Sequence, residues 1–535
     1  MKRTKIFTAA LLILTMALTA CTGGKDEGFA GVPEGGNGNV MQYFDAIEYA
    51  DEAEHDDESW RNEEITPNEQ YGLYEESPFK SAAVSPLSTF SANPNTASYS
   101  NIRRFINGDR VPPPQSIRIE EMVNYFRYDY PAPTHNSEHP FTINTEVAVC
   151  PWNSDNLLAM IGIQGESLAN KERLPRNIVL LIDVSGSMNS PERLPMVKES
   201  FVAMIERFNE KDVVSIVTYA GNSRIEADSI SGANKSELTK IINGLSAGGS
   251  TAGATGILEA YELAEKNFIE GGNNRIILAT DGDFNVGVSS RDGLVELIEK
   301  KRNKGIFISV LGYGMHNLND YMMESIAKHG NGNYAYVDTI EEAKKVLVDE
   351  FDSTMYVIAR DLKIQVEFNP AVVKEYRLIG YDNRRLNNED FNNDAKDAGD
   401  IGAGFAVTAF YELVLSEDGE TSDSVDGLTY QTSEFTGSSD FMNVKIRYKA
   451  PDGDTSKLVE KVVGENEFTE TPSDRFNFAS AVAEFGLILS ESKFSGNASV
   501  SNVISRAKTA LSNDHLGFKS EFVSLVERYS KGNHQ

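Results

Sequence analysis

The stretch Ile178–Glu192, IVLLIDVSGSMNSPE, decides the fold. Five branched apolar residues run straight into Asp183, and Ser185, Gly186 and Ser187 follow. A short apolar run with a sharp polar end reads as a buried strand that stops in a loop. Such a loop could cradle a phosphate, carry a nucleophile or hold a metal. A phosphate loop needs several glycines and usually a lysine, and this loop has one glycine and no lysine. A nucleophile elbow needs G-x-S-x-G and a partnered histidine, and neither serine has that frame. The alternating D-x-S-x-S oxygens of Asp183, Ser185 and Ser187 instead suit a hard dication such as Mg²⁺, with Mn²⁺ or Ca²⁺ as variants.

The surroundings support that choice. From Asn177 to Phe351 strands and helices alternate. The pattern predicts strands over Asn177–Asp183, Asp212–Tyr219, Arg275–Thr280, Gly305–Leu311 and Gly332–Tyr336. Helices are predicted over Pro195–Arg207, Thr255–Asn267, Leu294–Lys304, Leu318–Lys328 and Ile340–Phe351. This alternation implies an α/β class with a doubly wound, mostly parallel sheet, whose ligands sit beyond the carboxyl ends of the strands. Thr251, in the glycine-rich GGSTAGATGI, and Asp281, in IILATDGDFN, fall at that edge and would add oxygens to the site. Asp283 reads as a loop acid, Asn189 as a cap for the following helix, and His316 as a surface histidine.

Composition bounds the rest. A chain of 535 residues exceeds one compact core. Its net charge of −30 disfavours nucleic acid and anionic lipid as partners. The opening MKRTKIFTAALLILTMALTAC has a basic start, an apolar run and small residues, the plan of a secretory signal. Its end, Leu18-Thr19-Ala20-Cys21, resembles the lipobox of bacterial lipoproteins, which implies cleavage before Cys21 and acylation of that residue. The expectation is a protein of the bacterial cell envelope held by lipid alone, at the outer membrane, with exposure at the cell surface left open. With Cys21 lipidated, Cys150 stands alone and reads as a small buried apolar residue.

The chain divides into a leader (1–21), an acidic tether (22–76), an extension of helices then strands (77–173), the α/β domain (174–352) and a strand-rich then helical end (353–535). Helices are predicted over Ser98–Ile106 and Arg118–Phe126, and at the end over Phe476–Ser490 and Val500–Ser530. The acidic NNEDFNNDAKDAGD, residues 387–400, reads as a solvated connector rather than a calcium loop. The α/β domain is read as an insertion between two β-rich flanks that build one composite sandwich.

Asp183, Ser185, Ser187, Thr251 and Asp281 together resemble the metal ion-dependent adhesion site of von Willebrand factor type A domains. The resemblance implies direct ligation by the two serines, with one coordination position left for a carboxylate from a protein partner, so the site binds rather than catalyses. PLSTFSANPNTASYSNIRRF and DLKIQVEFNPAVVKEYRLIGYDNR resemble the flanking regions of bacterial von Willebrand factor type A lipoproteins of the YfbK-like kind. Where that family has acids, this chain has Asn93 and Asn95, which puts any ionic role of those positions in question. A metal-assisted hydrolase, or an envelope scaffold with an unused metal site, remains an alternative to the binding protein.

Overall fold

The computed structural model describes residues 69–532, apart from 135–136, 168–172, 251–252, 283–290, 316, 417–436 and 452. The expected leader, Cys21 and the tether to residue 68 lie outside the described residues, as do Thr251, Asp283 and His316.

The first flank supplies strands β1 (Lys80–Ser81), β2 (Leu87–Ser91), β3 (Phe141–Val149) and β4 (Leu157–Gly165), with helices α1 (Ala97–Asn107) and α2 (Ile119–Asn124) between β2 and β3. The inserted domain follows with β5 (Arg176–Asp183), β6 (Val213–Tyr219), β7 (Ser223–Ser231), β8 (Asn273–Thr280), β9 (Ile306–Tyr313) and β10 (Tyr334–Val337). Its helices are α3 (Leu194–Ile205), α4 (Lys235–Gly244), α5 (Gly253–Lys266), α6 (Arg291–Arg302), α7 (Asp320–His329), α8 (Ile340–Lys344) and α9 (Phe351–Met355). The six strands lie in the order β10-β9-β8-β5-β6-β7, parallel except for β7. Every residue of β5 and of β8 is buried, as central parallel strands covered on both faces must be. The edge strand β7 and helix α4 were not legible in the sequence, since SRIEADSIS alternates poorly and leaves half its residues in solvent.

The second flank contributes β11 (Val357–Phe368), β12 (Val373–Ile379), β13 (Arg385–Leu386), β14 (Gly399–Gly402), β15 (Ala406–Leu415), β16 (Met442–Lys449) and β17 (Ser456–Val463). The two flanks share both of their sheets. One runs β1-β12-β15-β4-β3 and the other β13-β2-β11-β16-β17, with β14 paired to β11. Their facing sides meet through aromatic rings. Phe368 of β11 stacks on Tyr376 of β12 at 3.9 Å between centroids, and the Tyr411 hydroxyl donates to Ser88 Oγ at 2.9 Å. In β16 the buried residues alternate, Met442, Val444 and Ile446 facing the core. The α/β domain is therefore an insertion in a composite sandwich, and its two connections lie side by side, where the Tyr356 hydroxyl donates to Leu174 O at 3.3 Å.

Helices α10 (Asp474–Leu489), α11 (Val500–Thr509) and α12 (Phe518–Gly532) close the chain against α1, α2 and the outer face of the first sheet. The single helix expected over Val500–Ser530 is two. Asn513, Leu516 and Gly517 adopt positive φ, and Asp514 turns its carboxylate onto the backbone N–H groups of Lys519 and Ser520. Residues 387–400 are not wholly a solvated connector, because their last two open β14. Cys150 is 1% exposed, and burial pushes its thiol up to about 12.

Two buried arginines of the first flank grip the inserted domain. Arg103 meets Asp338 Oδ1 at 2.5 Å, Glu342 Oε2 at 2.7 Å and Glu521 Oε2 at 3.1 Å. Arg118 meets Asp320 at 2.5 Å and Glu121 at 2.8 Å. Asn93 donates its amide to Glu120 at 3.2 Å and to Glu121 at 3.4 Å, while Asn95 Oδ1 accepts the Tyr334 N–H at 2.9 Å. A third carboxylate at position 93 would crowd two buried acids, and the neutral amide satisfies them instead.

Candidate metal centre

The site forms because β5 ends abruptly and its loop is pinned from both sides. The Val184 N–H donates to Tyr219 O at 2.9 Å, the Gly248 N–H to Val184 O at 2.8 Å, and the Gly186 N–H to Gly249 O at 3.0 Å. Gly249 has φ of +90°, a conformation that costs a residue with a Cβ, so the turn that leads to Thr251 can lie flat on the β5 loop. Asp183 is fully buried. Its Oδ1 accepts the Ser185 N–H at 2.9 Å and its Oδ2 accepts the Thr280 hydroxyl at 3.3 Å. The hydroxyls of Ser185 and Ser187 face each other at 3.0 Å. Asp281, also fully buried, follows β8 one strand away. Gly282 then turns the chain with φ of +90°, and a Cβ there would lie 2.7 Å from Asn319 N.

Four of the five anticipated residues thus come to one edge of the sheet. The fifth, Thr251, lies outside the described residues. Asn189 departs from expectation: it is exposed and closes the short helical turn Gly186–Met188, whereas α3 begins at Leu194 with no side-chain cap. The cap position of α3 falls at Arg193, four residues beyond Asn189 and out of its reach.

The sequence reading missed Arg193. Its guanidinium meets Asp281 Oδ2 at 3.0 Å, donates to Ser187 O at 2.6 Å, and reaches Met315 O and Asn317 Oδ1, both at 2.7 Å. It ties together the loops after β5, β8 and β9. Nothing local marks it, since an arginine after SPE reads as a solvated loop charge.

The donor set is all oxygen and contains two buried carboxylates beside one guanidinium. Burial, and then the charge of Asp281, push Asp183 up to about 6. A buried pair of like charges is relieved by a cation between them. The residues therefore fit a hard dication, which Asp183, Ser185, Ser187 and Asp281 would hold, and which would supply a Lewis-acidic point for an incoming anionic oxygen.

Over 467 residues the chain is 42% identical to the uncharacterized protein YfbK of Escherichia coli (strain K12), a match covering 86% of this chain and 80% of that one. The chain belongs to the YfbK-like family of von Willebrand factor type A proteins. Along this YfbK-like chain, residues 65–160 match the von Willebrand factor family, 177–349 the von Willebrand factor type A domain, and 353–531 the C-terminal family of uncharacterized protein YfbK. More distant is human inter-alpha-trypsin inhibitor heavy chain H3, 26% identical over 176 residues, 31% of this chain and 20% of that one. Among solved structures, a von Willebrand factor type A protein from Catenulispora acidiphila superposes over 71% of this chain and 89% of its own, at 13% identity and a TM-score of 0.42.

Proposed function

We propose that this YfbK-like protein is a binding protein of the bacterial envelope, anchored by lipid on Cys21, whose dication grips a carboxylate of a protein partner. One observation carries the reading: Asp183, Ser185, Ser187 and Asp281 converge at the carboxyl ends of β5 and β8, with two buried carboxylates for one arginine. Two hydroxyls and few direct anions leave a bound metal electron-poor, so an incoming Asp or Glu is held strongly. A von Willebrand factor type A domain accords with a role in protein–protein contact. The reading is of a binder and not an enzyme, with Mg²⁺ the expected ion and Mn²⁺ or Ca²⁺ able to replace it. The net charge of −30 argues against nucleic acid as the partner.

The test is capture of partners from solubilised envelope by the full chain with Mg²⁺, with chelator, and as Asp183→Ala. Capture should fall at least about tenfold in the latter two, the effect of losing a charge-assisted contact. Capture that neither chelator nor the substitution changes would sink the mechanism. Metal-dependent turnover of a substrate panel, lost in Asp183→Ala, would replace the binder with a hydrolase.

A further inference from the structure

A second cavity, of about 300 Å³, lies where the starts of the parallel strands meet the composite sandwich. Arg275 of β8 lines it from one side and Asp400 of β14 from the other. Arg275 pairs in register with Ile178, near the start of β5, so the cavity occupies the opposite edge of the sheet from Asp183. It is independent of the metal site.

Four residues lining this cavity carry a buried polar atom without the partner such atoms ordinarily have, Arg275, Asn383, Arg384 and Asp400, and the first and last of them are the charged pair that faces across it. Arg275 is 1% exposed. Its Nη1 donates to Ser309 Oγ at 2.7 Å and its guanidinium lies over Phe307, Cζ 5.5 Å from the ring centroid, but its Nε has no partner. Among the described residues Arg275 makes no ion pair, and burial lowers it to about 10. Asp400 accepts the Asp361 N–H through Oδ1 at 3.1 Å, while its buried Oδ2 has no partner. Burial pushes this carboxyl up to about 7, with the charges of Asp361 and Asp397 adding to the rise. Of the other charges on the walls, Asp397 meets Arg302 at 2.6 Å, Arg384 meets Glu324 at 3.3 Å, and Lys328 donates to Asn383 O at 3.1 Å.

A buried cation and a half-buried acid line this one cavity without forming an ion pair with each other. A Cβ on Gly399 would fall 2.1 Å from Ala92 O, and one on Gly402 would fall 1.6 Å from Ser353 O. Strand β14 is therefore seated hard against its neighbours, which fixes the backbone that carries Asp400, and the charge of Asp400 reaches Arg275 and opposes the effect of its burial. Buried donors and acceptors left open in a rigid, concave wall mark a place that something else completes. A lone anion would satisfy Arg275 and be repelled by Asp400, and a lone amine would do the reverse. A small molecule with both charges satisfies both.

We propose that this cavity binds a small zwitterion of the amino-acid or dipeptide class, its carboxylate on Arg275 and its ammonium toward Asp400. Calorimetry and thermal shift on the full chain in detergent would use glycine, alanine, serine, glutamate and glycylglycine, with acetate and ethylamine as the two half-ligands. At least one zwitterion should bind saturably and raise the melting temperature, with both half-ligands weaker by about tenfold or more. Asp400→Asn and Arg275→Met should each weaken binding by a similar factor, and Asp183→Ala should leave it unchanged. No saturable binding below about 10 mM, a concentration at which even weak specific sites fill, would mean that the cavity holds water only. Acetate binding as well as the zwitterions, undiminished in Asp400→Asn, would make it an anion site and overturn the proposal. The half-ligand comparison needs no substitution, so it decides the matter even if Arg275→Met fails to fold.

Discussion

Arg103→Met should destabilise the chain by about 3–5 kcal/mol, the usual consequence of breaking a buried ion pair by removing one partner. Arg103 is 2% exposed and serves Asp338 through two nitrogens, at 2.5 and 2.8 Å, with Glu342 at 2.7 Å and the Tyr125 hydroxyl at 2.9 Å. Methionine fills nearly the same space, so little of the loss comes from a cavity. Most comes from the two acids left behind, whose side chains are 5% and 0% exposed. That origin makes a second, sharper expectation. Adding Asp338→Asn and Glu342→Gln to the methionine variant should recover more than half of the lost stability, because the stranded charges are gone. Urea unfolding followed by tryptophan fluorescence, Trp152 being fully buried in the core beneath the closing helices, reads both. A loss below about 1 kcal/mol, the size of a surface pair, would refute the reasoning. So would a triple variant no more stable than Arg103→Met.

Glu121 is pushed up to about 7 from 4.5, by burial first, with Arg118 opposing. Its folded form therefore holds a proton that the unfolded chain releases above pH 4.5. Its contribution is full at and below pH 4.5 and is lost as pH rises to about 7, up to about 3 kcal/mol. Glu121→Gln should flatten the decline of melting temperature across that window, and a difference between the two proteins that does not vary with pH would contradict it. A fragment of residues 353–531 should not fold alone, since β11 would lose β2 and β15 would lose β4. A protease-resistant fragment with a cooperative melt would show the flanks to be separable.

The parts legible in the sequence were those whose signals are local. Asp183, Ser185 and Ser187 stand within five residues, and Asp281 ends a continuous apolar strand, so periodicity alone places them at one edge. Arg193 acts through contacts with residues as far away as Asn317, and no pattern around it records them. The same holds for Asp400, hidden in a run of Asn and Asp whose composition reads as solvent-facing, yet drawn into β14 by pairing with β11. Helices α11 and α12 read as one because the apolar spacing continues across the break, while the residues that make the break, Asn513 and Leu516, signal positive φ weakly or not at all.

The sharing of both sheets by the two flanks bears on how the chain must be made. Leu87 pairs with Glu367 and Ile163 with Val407, so strands β2 and β4 emerge from the ribosome roughly half the chain's length before these partners in β11 and β15 exist. The α/β domain between them closes through contacts nearer in sequence and can complete first. Until the last third is synthesised, the early strands carry unpaired edges and the faces later covered by α10, a template for wrong pairing. A chaperone that binds extended apolar strands would be needed most in that interval, and least once α10 has been added.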